Sequence, residues 1–233
     1  MTERPGQPGP PADHTFAPEE IAAGVHREKV GGLWDAVGEL QLSFLRVQGL
    51  TPGMKLLDVG CGSLRGGVRF VAFLDPDHYF GIDSDPALLA AGYDVEIAQR
   101  GLQARLPRAN LLQDETFAAR RFGVVFDMAI AQSLFSHLPW NSIRRCLAEV
   151  ALVLPPGASF YATYFECPEE SPAAATWIQE PGGVITYIDR DPYHYRPADL
   201  AACAGGLPWR FERIGDWGHP RGQRMARFVR LAG

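Results

Sequence analysis

The sequence predicts an α/β fold: a doubly wound, mostly parallel seven-stranded sheet, closed by a C-terminal antiparallel hairpin. Three observations predict it. Short apolar runs alternate with stretches of helical periodicity between residues 54 and 165, the pattern of successive βαβ units. The first apolar run ends in a glycine-rich turn, LLDVGCGSLRGG at 56–67, as a strand feeding a helix does. The last two apolar runs, 211–214 and 225–229, are joined by GDWGHPRGQR, a link too short for a parallel crossover.

The elements follow in order. Residues 1–15 are rich in Pro and Gly with almost no apolar content, which predicts a disordered tail. The rest, 16–233, reads as one domain. Pro18, Glu19 and Glu20 mark a helix start. Leu33, Val37, Leu40, Phe44 and Val47 then predict a helix with one buried stripe, and 16–50 form an N-terminal helical cap. The strands are expected at 54–59, 78–82, 110–112, 124–131 and 159–165. The helices between them are expected at 68–74, 86–100 and from Trp140 to Leu154. Residues 167–196 break the alternation with Pro168, Pro172, Pro181, Gly182, Gly183 and Pro192. This insert follows the fifth strand, so it is expected at the carboxyl edge of the sheet, where open α/β folds bind ligands, as a lid or substrate-recognition element.

Composition narrows the function classes. The 233 residues are 46% hydrophobic and 21% charged, with a net charge of −5. That balance suits a globular protein and argues against a nucleic-acid partner, whose affinity rests on clustered Lys and Arg. No apolar run is long enough to span a bilayer, and the N-terminus lacks a signal-peptide pattern, so a cytoplasmic protein without a membrane partner is expected. Cys61, Cys146, Cys167 and Cys203 form no CxxC pair and read as free thiols. No metal site is expected.

The chemistry concentrates at the carboxyl ends of the predicted strands. Gly60 and Gly62 permit a tight turn and a close ligand approach. The dinucleotide fingerprint G-x-G-x-x-G would place its third glycine at 65, but Arg65 stands there and Gly66 follows, which disfavours a pyrophosphate ligand. S-adenosylmethionine carries a carboxylate, an ammonium and a sulfonium instead. Asp58 could meet the ammonium and Arg65 the carboxylate. Asp83, 21 residues after Gly62, could accept both ribose hydroxyls, and Asp114 the adenine amino group. Cys61, Ser63, Ser84, Gln132 and Ser133 lie at the same edge and complete the expected cofactor set.

These motifs resemble those of class I S-adenosylmethionine-dependent methyltransferases. Residues 56–62 resemble their first motif, YFGID at 79–83 their second, and FDMAIAQSLFSHLP at 126–139 their fourth. AEVALVLPPGASFYATYF at 148–165 resembles their late helix and fifth strand, with Pro156-Gly157 in place of the familiar Gly-Gly turn. The resemblance covers roughly residues 30 to 230 and implies a methyl donor. It does not name the acceptor, since this fold serves many.

Methyl transfer needs mainly an aligned acceptor, plus a base where the acceptor is a hydroxyl. His137, six residues past the fourth strand, and His194, within DPYHY at 191–195, are the candidate bases. Each has a structural alternative: His137 packed before Pro139, His194 packed with the lid. His219 and Trp217 lie in the terminal hairpin, where packing is equally expected; His26 belongs to the N-terminal cap and Trp34 is expected in the core. The expectation is methyl transfer to a small-molecule acceptor, preferably at oxygen. Nitrogen transfer, a non-catalytic cofactor-binding protein and an NAD-dependent oxidoreductase are the alternatives, and a homodimer is allowed.

Overall fold

The computed structural model describes residues 15–170, 172 and 176–232. The tail expected at 1–15 lies outside them up to residue 14. The N-terminal cap is three helices, α1 (Pro18–Ala22), α2 (Val25–Lys29) and α3 (Trp34–Val47). The stripe buried by α3 is Trp34, Val37, Gln41 and Leu45. It is rotated from the expected one: Leu33 is 43% exposed and Val47 82%. The rotation follows from Gly38, where a Cβ would stand 2.7 Å from the Arg65 carbonyl oxygen, so this face of α3 lies against the turn after the first strand.

Alternation then proceeds as β1 (Leu56–Val59), α4 (Gly67–Phe73), β2 (Tyr79–Asp83) and α5 (Pro86–Ala91). Asp85 caps α5 by accepting from the Ala87 and Leu88 N–H groups, an N-cap arrangement. The helical path continues through a π-helical turn at 92–97. Next come β3 (Leu111–Gln113), β4 (Met128–Ala131), α6 (Trp140–Ala151) and β5 (Ser159–Glu166). Strand β4 is shorter than expected because its first half leaves the sheet: Val125 is 65% exposed, and Asp127 accepts from the Lys55 N–H at 2.7 Å. The insert holds a hairpin, β6 (Trp177–Gln179) and β7 (Val184–Thr186), and the short β8 (His194–Tyr195). Then follow α7 (Pro197–Ala204), β9 (Trp209–Gly215) and β10 (Arg224–Arg230). Helix α7 was not expected, although Pro197 in its first turn and the Asp199 carboxylate accepting from the Arg196 N–H at 2.9 Å are ordinary start signals.

The sheet order is β3-β2-β1-β4-β5-β10-β9. The first five strands are parallel, and β10 is antiparallel to both β5 and β9. Strand β8 adds a short parallel pairing at Phe165↔His194. Both faces are packed: Phe80, Phe126, Phe160 and Phe228 on one, Leu45, Phe70, Tyr79 and Tyr161 on the other. Strands β1 and β4 are buried at every position, as a doubly covered sheet requires. No helix among the described residues is long and apolar enough to cross a membrane.

The cap is clamped to this body through one carboxylate. The side chain of Glu96, in the π-helical turn, is fully buried and faces two arginines and a histidine. Arg27 donates to it at 2.6 and 3.0 Å and Arg100 at 2.6 Å. His26 Nε2 lies 2.6 Å away. Burial alone would raise the Glu96 carboxyl, but the hydrogen bonds from Arg27, His26 and Arg100 outweigh it and hold it low. Removing one member of such a cluster strands the others. Glu96→Ala is expected to lower unfolding stability by about 3 kcal/mol, measured by the denaturant midpoint, with α2 loosened first.

Candidate functional site

The turn after β1 is pinched from two sides. Gly60 and Gly62 have φ of +74° and +54°, a region glycine enters without the Cβ penalty. A Cβ on Gly62 would stand 2.6 Å from Val30 Cγ1, and one on Gly60 3.0 Å from Leu134 Cδ1. The N-terminal cap and the loop after β4 therefore press on the same turn. Leu64 adopts φ +66° although fully buried. Its burial among core side chains holds it in a conformation that costs a non-glycine residue about 1 kcal/mol or more.

Two carboxylates flank the turn. Asp83 Oδ2 accepts from the Gly62 N–H at 2.8 Å and Oδ1 from the Asp85 N–H at 2.9 Å. Each oxygen retains a lone pair, which is what a pair of ribose hydroxyls needs. Asp58 is 3% exposed and accepts from the Tyr79 hydroxyl at 2.7 Å. Burial pushes its carboxyl up to about 7, against the lowering effect of Tyr79 and Arg65. A cationic group at Asp58 would supply the missing counter-charge.

A cavity of about 400 Å³ opens beside them, within the range of small-molecule sites. Its lining includes Asp58, Gly60, Gly62, Asp83 and Leu88, with Lys29 from the cap. It also includes Ser133, His137, Phe165, Gln223 and two insert residues, Val184 and Pro192. A buried polar network supports Ser133 and Gln223. Gln223 Oε1 accepts from Thr163 Oγ1 at 2.7 Å and Ser133 Oγ at 3.1 Å. The Ser133 N–H donates to Thr163 Oγ1 at 2.7 Å, and Gln132 Nε2 to Ser133 Oγ at 2.8 Å. His219 stacks on Trp217 at 5.6 Å. Burial, with Arg65 and Arg221 nearby, pulls its imidazole down to about 4, so it is neutral.

His137 lies at the rim of the cavity. Its Nδ1 is 2.7 Å from Asp191 Oδ1 in the insert. A carboxylate at Nδ1 places the proton there and leaves Nε2 as the basic nitrogen.

Of the expected cofactor residues, Asp58, Gly60, Cys61, Gly62, Arg65, Asp83, Gln132 and Ser133 line the cavity. Four expected site residues stand elsewhere. Ser63 is fully buried, and its hydroxyl donates to the His26 carbonyl at 3.0 Å. Ser84 is exposed outside the cavity. Asp114 folds back on its own turn, accepting from the Thr116 and Ala118 N–H groups at 2.6 and 3.1 Å. His194 is 2% exposed in β8 and pairs with Thr186 Oγ1 at 2.9 Å, because its register against β5 turns it into the seam between insert and sheet. Cys61 lines the cavity, but burial pushes its thiol well up, which leaves it unreactive. Sequence reasoning missed Tyr79, Asp191, Arg221 and Gln223. Tyr79 opens the YFGID run and carried a signal; the other three depend on segments brought together over long separations.

No protein-family model matches the chain. The structure is similar to a sugar N-methyltransferase from Streptoalloteichus, at 18% identity and a TM-score of 0.62, covering all of both chains. It is similar to an amino pentose methyltransferase from Micromonospora echinaspora, solved with S-adenosylmethionine bound, at 17% identity and a TM-score of 0.60, over 94% of this chain and 99% of that one. It is also similar to the magnesium protoporphyrin IX methyltransferase of Synechocystis, at 15% identity and a TM-score of 0.58, over 83% and 80%. The chain has the fold of the class I S-adenosylmethionine-dependent methyltransferases.

The raised Asp58 carboxyl has a measurable sign. The unfolded group titrates near 3.8 and the folded one near 7, so its contribution to stability is complete below 3.8 and is lost as pH rises through about 7. Thermal melts of the ligand-free protein should therefore lose more stability between pH 5 and 8 than melts of Asp58→Asn.

Proposed function

We propose that this protein is an S-adenosylmethionine-dependent methyltransferase that acts on a small-molecule acceptor, with transfer to oxygen. One observation carries the reading: a single cavity is lined by two chemically distinct sets of residues. Asp58, Gly60, Gly62 and Asp83 suit an adenosyl ligand with an amino-acid end. Ser133 and Gln223, with His137 and its partner Asp191, suit a polar acceptor.

The cofactor, when bound, supplies an activated methyl group on a sulfonium. This chain's own residues do the rest. Asp83 accepts the ribose hydroxyls, and Asp58 stands opposite the ammonium. Phe165, Val184 and Pro192 exclude water from the acceptor, with the insert as its lid. The network of Ser133, Thr163 and Gln223 orients the acceptor. His137 Nε2 removes the hydroxyl proton as the oxygen attacks, and Asp191 stabilises the resulting imidazolium. Holding the acceptor in line is the larger contribution, because the donor is already activated.

Transfer to nitrogen is the second reading. It is favoured by the similarity to the sugar N-methyltransferase and by Gln132 Oε1, which has no hydrogen-bond partner among the described residues. An amine arriving unprotonated needs no base, so the two readings separate at His137.

Calorimetry is expected to show binding of S-adenosylhomocysteine and none of NAD. Asp83→Ala should weaken it by about tenfold or more, as loss of a charged hydrogen-bond acceptor does. With labelled S-adenosylmethionine and a panel of hydroxylated and amino acceptors, His137→Ala should lower turnover by roughly a hundredfold. Cofactor affinity should stay unchanged. Normal turnover in that variant would remove the base and, with it, the case for oxygen.

A further inference from the structure

Arg221 lies in the turn between β9 and β10, half-buried, and lines the cavity. No ion pair reaches its guanidinium among the described residues. Arg65, 7% exposed, lines the same cavity. Its Nη1 donates to the carbonyls of Val30 and Gly32 at 2.8 and 2.9 Å, so its position is fixed by the cap. The two guanidinium groups converge on Gly31. A Cβ built there would lie 2.8 Å from Arg221 Nη1 and 3.8 Å from Arg65 Nη1.

Two like charges held together in a cavity repel, and Arg65 is drawn down to about 10 by burial and by Arg221. The other charges in reach do not relieve this. Lys29 adds a further cation and is taken by Asp85 at 2.7 Å. Glu28 lines the cavity, but its carboxylate lies against Gly32. Asp58 is held toward its neutral form by burial. An anion between the guanidinium groups does relieve it, and the planar fork of arginine matches a carboxylate.

We propose that Arg65 and Arg221 together form the binding site for the carboxylate at the amino-acid end of the cofactor. This rests on the S-adenosylmethionine reading above. The cofactor carries its ammonium and carboxylate on one carbon, and Asp58 and Arg65 line the same cavity within electrostatic reach of each other. The ammonium meets Asp58 and the carboxylate meets the two arginines. Arg221 is held there by the insert: a Cβ on Gly182 would lie 2.6 Å from the Arg221 Cα. The cofactor's amino-acid end thus bridges the glycine turn, the cap and the terminal hairpin.

The test compares S-adenosylhomocysteine with 5′-methylthioadenosine, which has the adenosyl thioether but lacks the amino-acid end. Arg221→Ala should weaken S-adenosylhomocysteine by about tenfold or more and leave 5′-methylthioadenosine unchanged. Arg221→Lys, which keeps the charge without the fork, should fall between wild type and Arg221→Ala. An equal loss for both ligands would show that Arg221 only shapes the cavity, and no loss for S-adenosylhomocysteine would show that it does not reach the ligand; either overturns the proposal. If the wild type binds neither thioether, the cofactor reading falls first and this site falls with it. Unchanged circular dichroism of both variants separates these results from unfolding.

Discussion

The turn from Gly60 to Gly62 is the constraint on which the rest of the site depends. Its backbone takes positive φ values, Val30 and Leu134 press on it, and its Gly62 N–H is tied to Asp83. Three separate segments thus meet at one point: the cap, the end of β2 and the loop after β4. Any widening of this turn would displace Asp83 from below and the cap from above. The strain at Leu64 is tolerable for the same reason, since a fully buried side chain in a packed core has no alternative rotamer space to relax into.

Charge is distributed in this molecule according to what can move. Glu96 is surrounded by His26, Arg27 and Arg100, and its role is to hold the cap on the sheet. Asp58 and Arg65, by contrast, are buried with no ion pair of their own among the described residues, and both are displaced toward neutrality by desolvation. Buried charges left in this state destabilise the free protein and are stabilised when a ligand of opposite charge arrives. His219 adds to the pattern: it is neutral and stacked on Trp217, so it packs against Gln132 behind the cavity without adding a charge.

Much of the fold was legible because its strands and helices are defined by local periodicity. The runs ending at Val59, Ile82 and Ala131 carry their own burial signal, and the ten-residue hairpin link excluded a parallel return. The register of α3 was not legible. The buried face there includes Gly38 and Gln41, which an apolar pattern does not mark, and the close approach at Gly38 selects it. The catalytic candidates divided on the same principle. His137 and His194 look alike in the sequence, each among aromatic or apolar neighbours. Pairing of β8 with β5 buries one, while a loop leaves the other at the rim opposite Asp191.

The sequence by itself determined the sheet, the glycine turn and the acid at the end of β2. These depend on neighbours within one βαβ unit, and local sterics and hydrogen bonding set them. Tertiary structure alone decided which polar residues share the cavity. Arg221, Gln223 and Asp191 stand more than a hundred residues from Asp58, and nothing local links them. Asp114 lies outside the cavity lining for the opposite reason, because its own turn offers N–H donors. A carboxylate takes the nearest donors available, and only the folded chain establishes which those are.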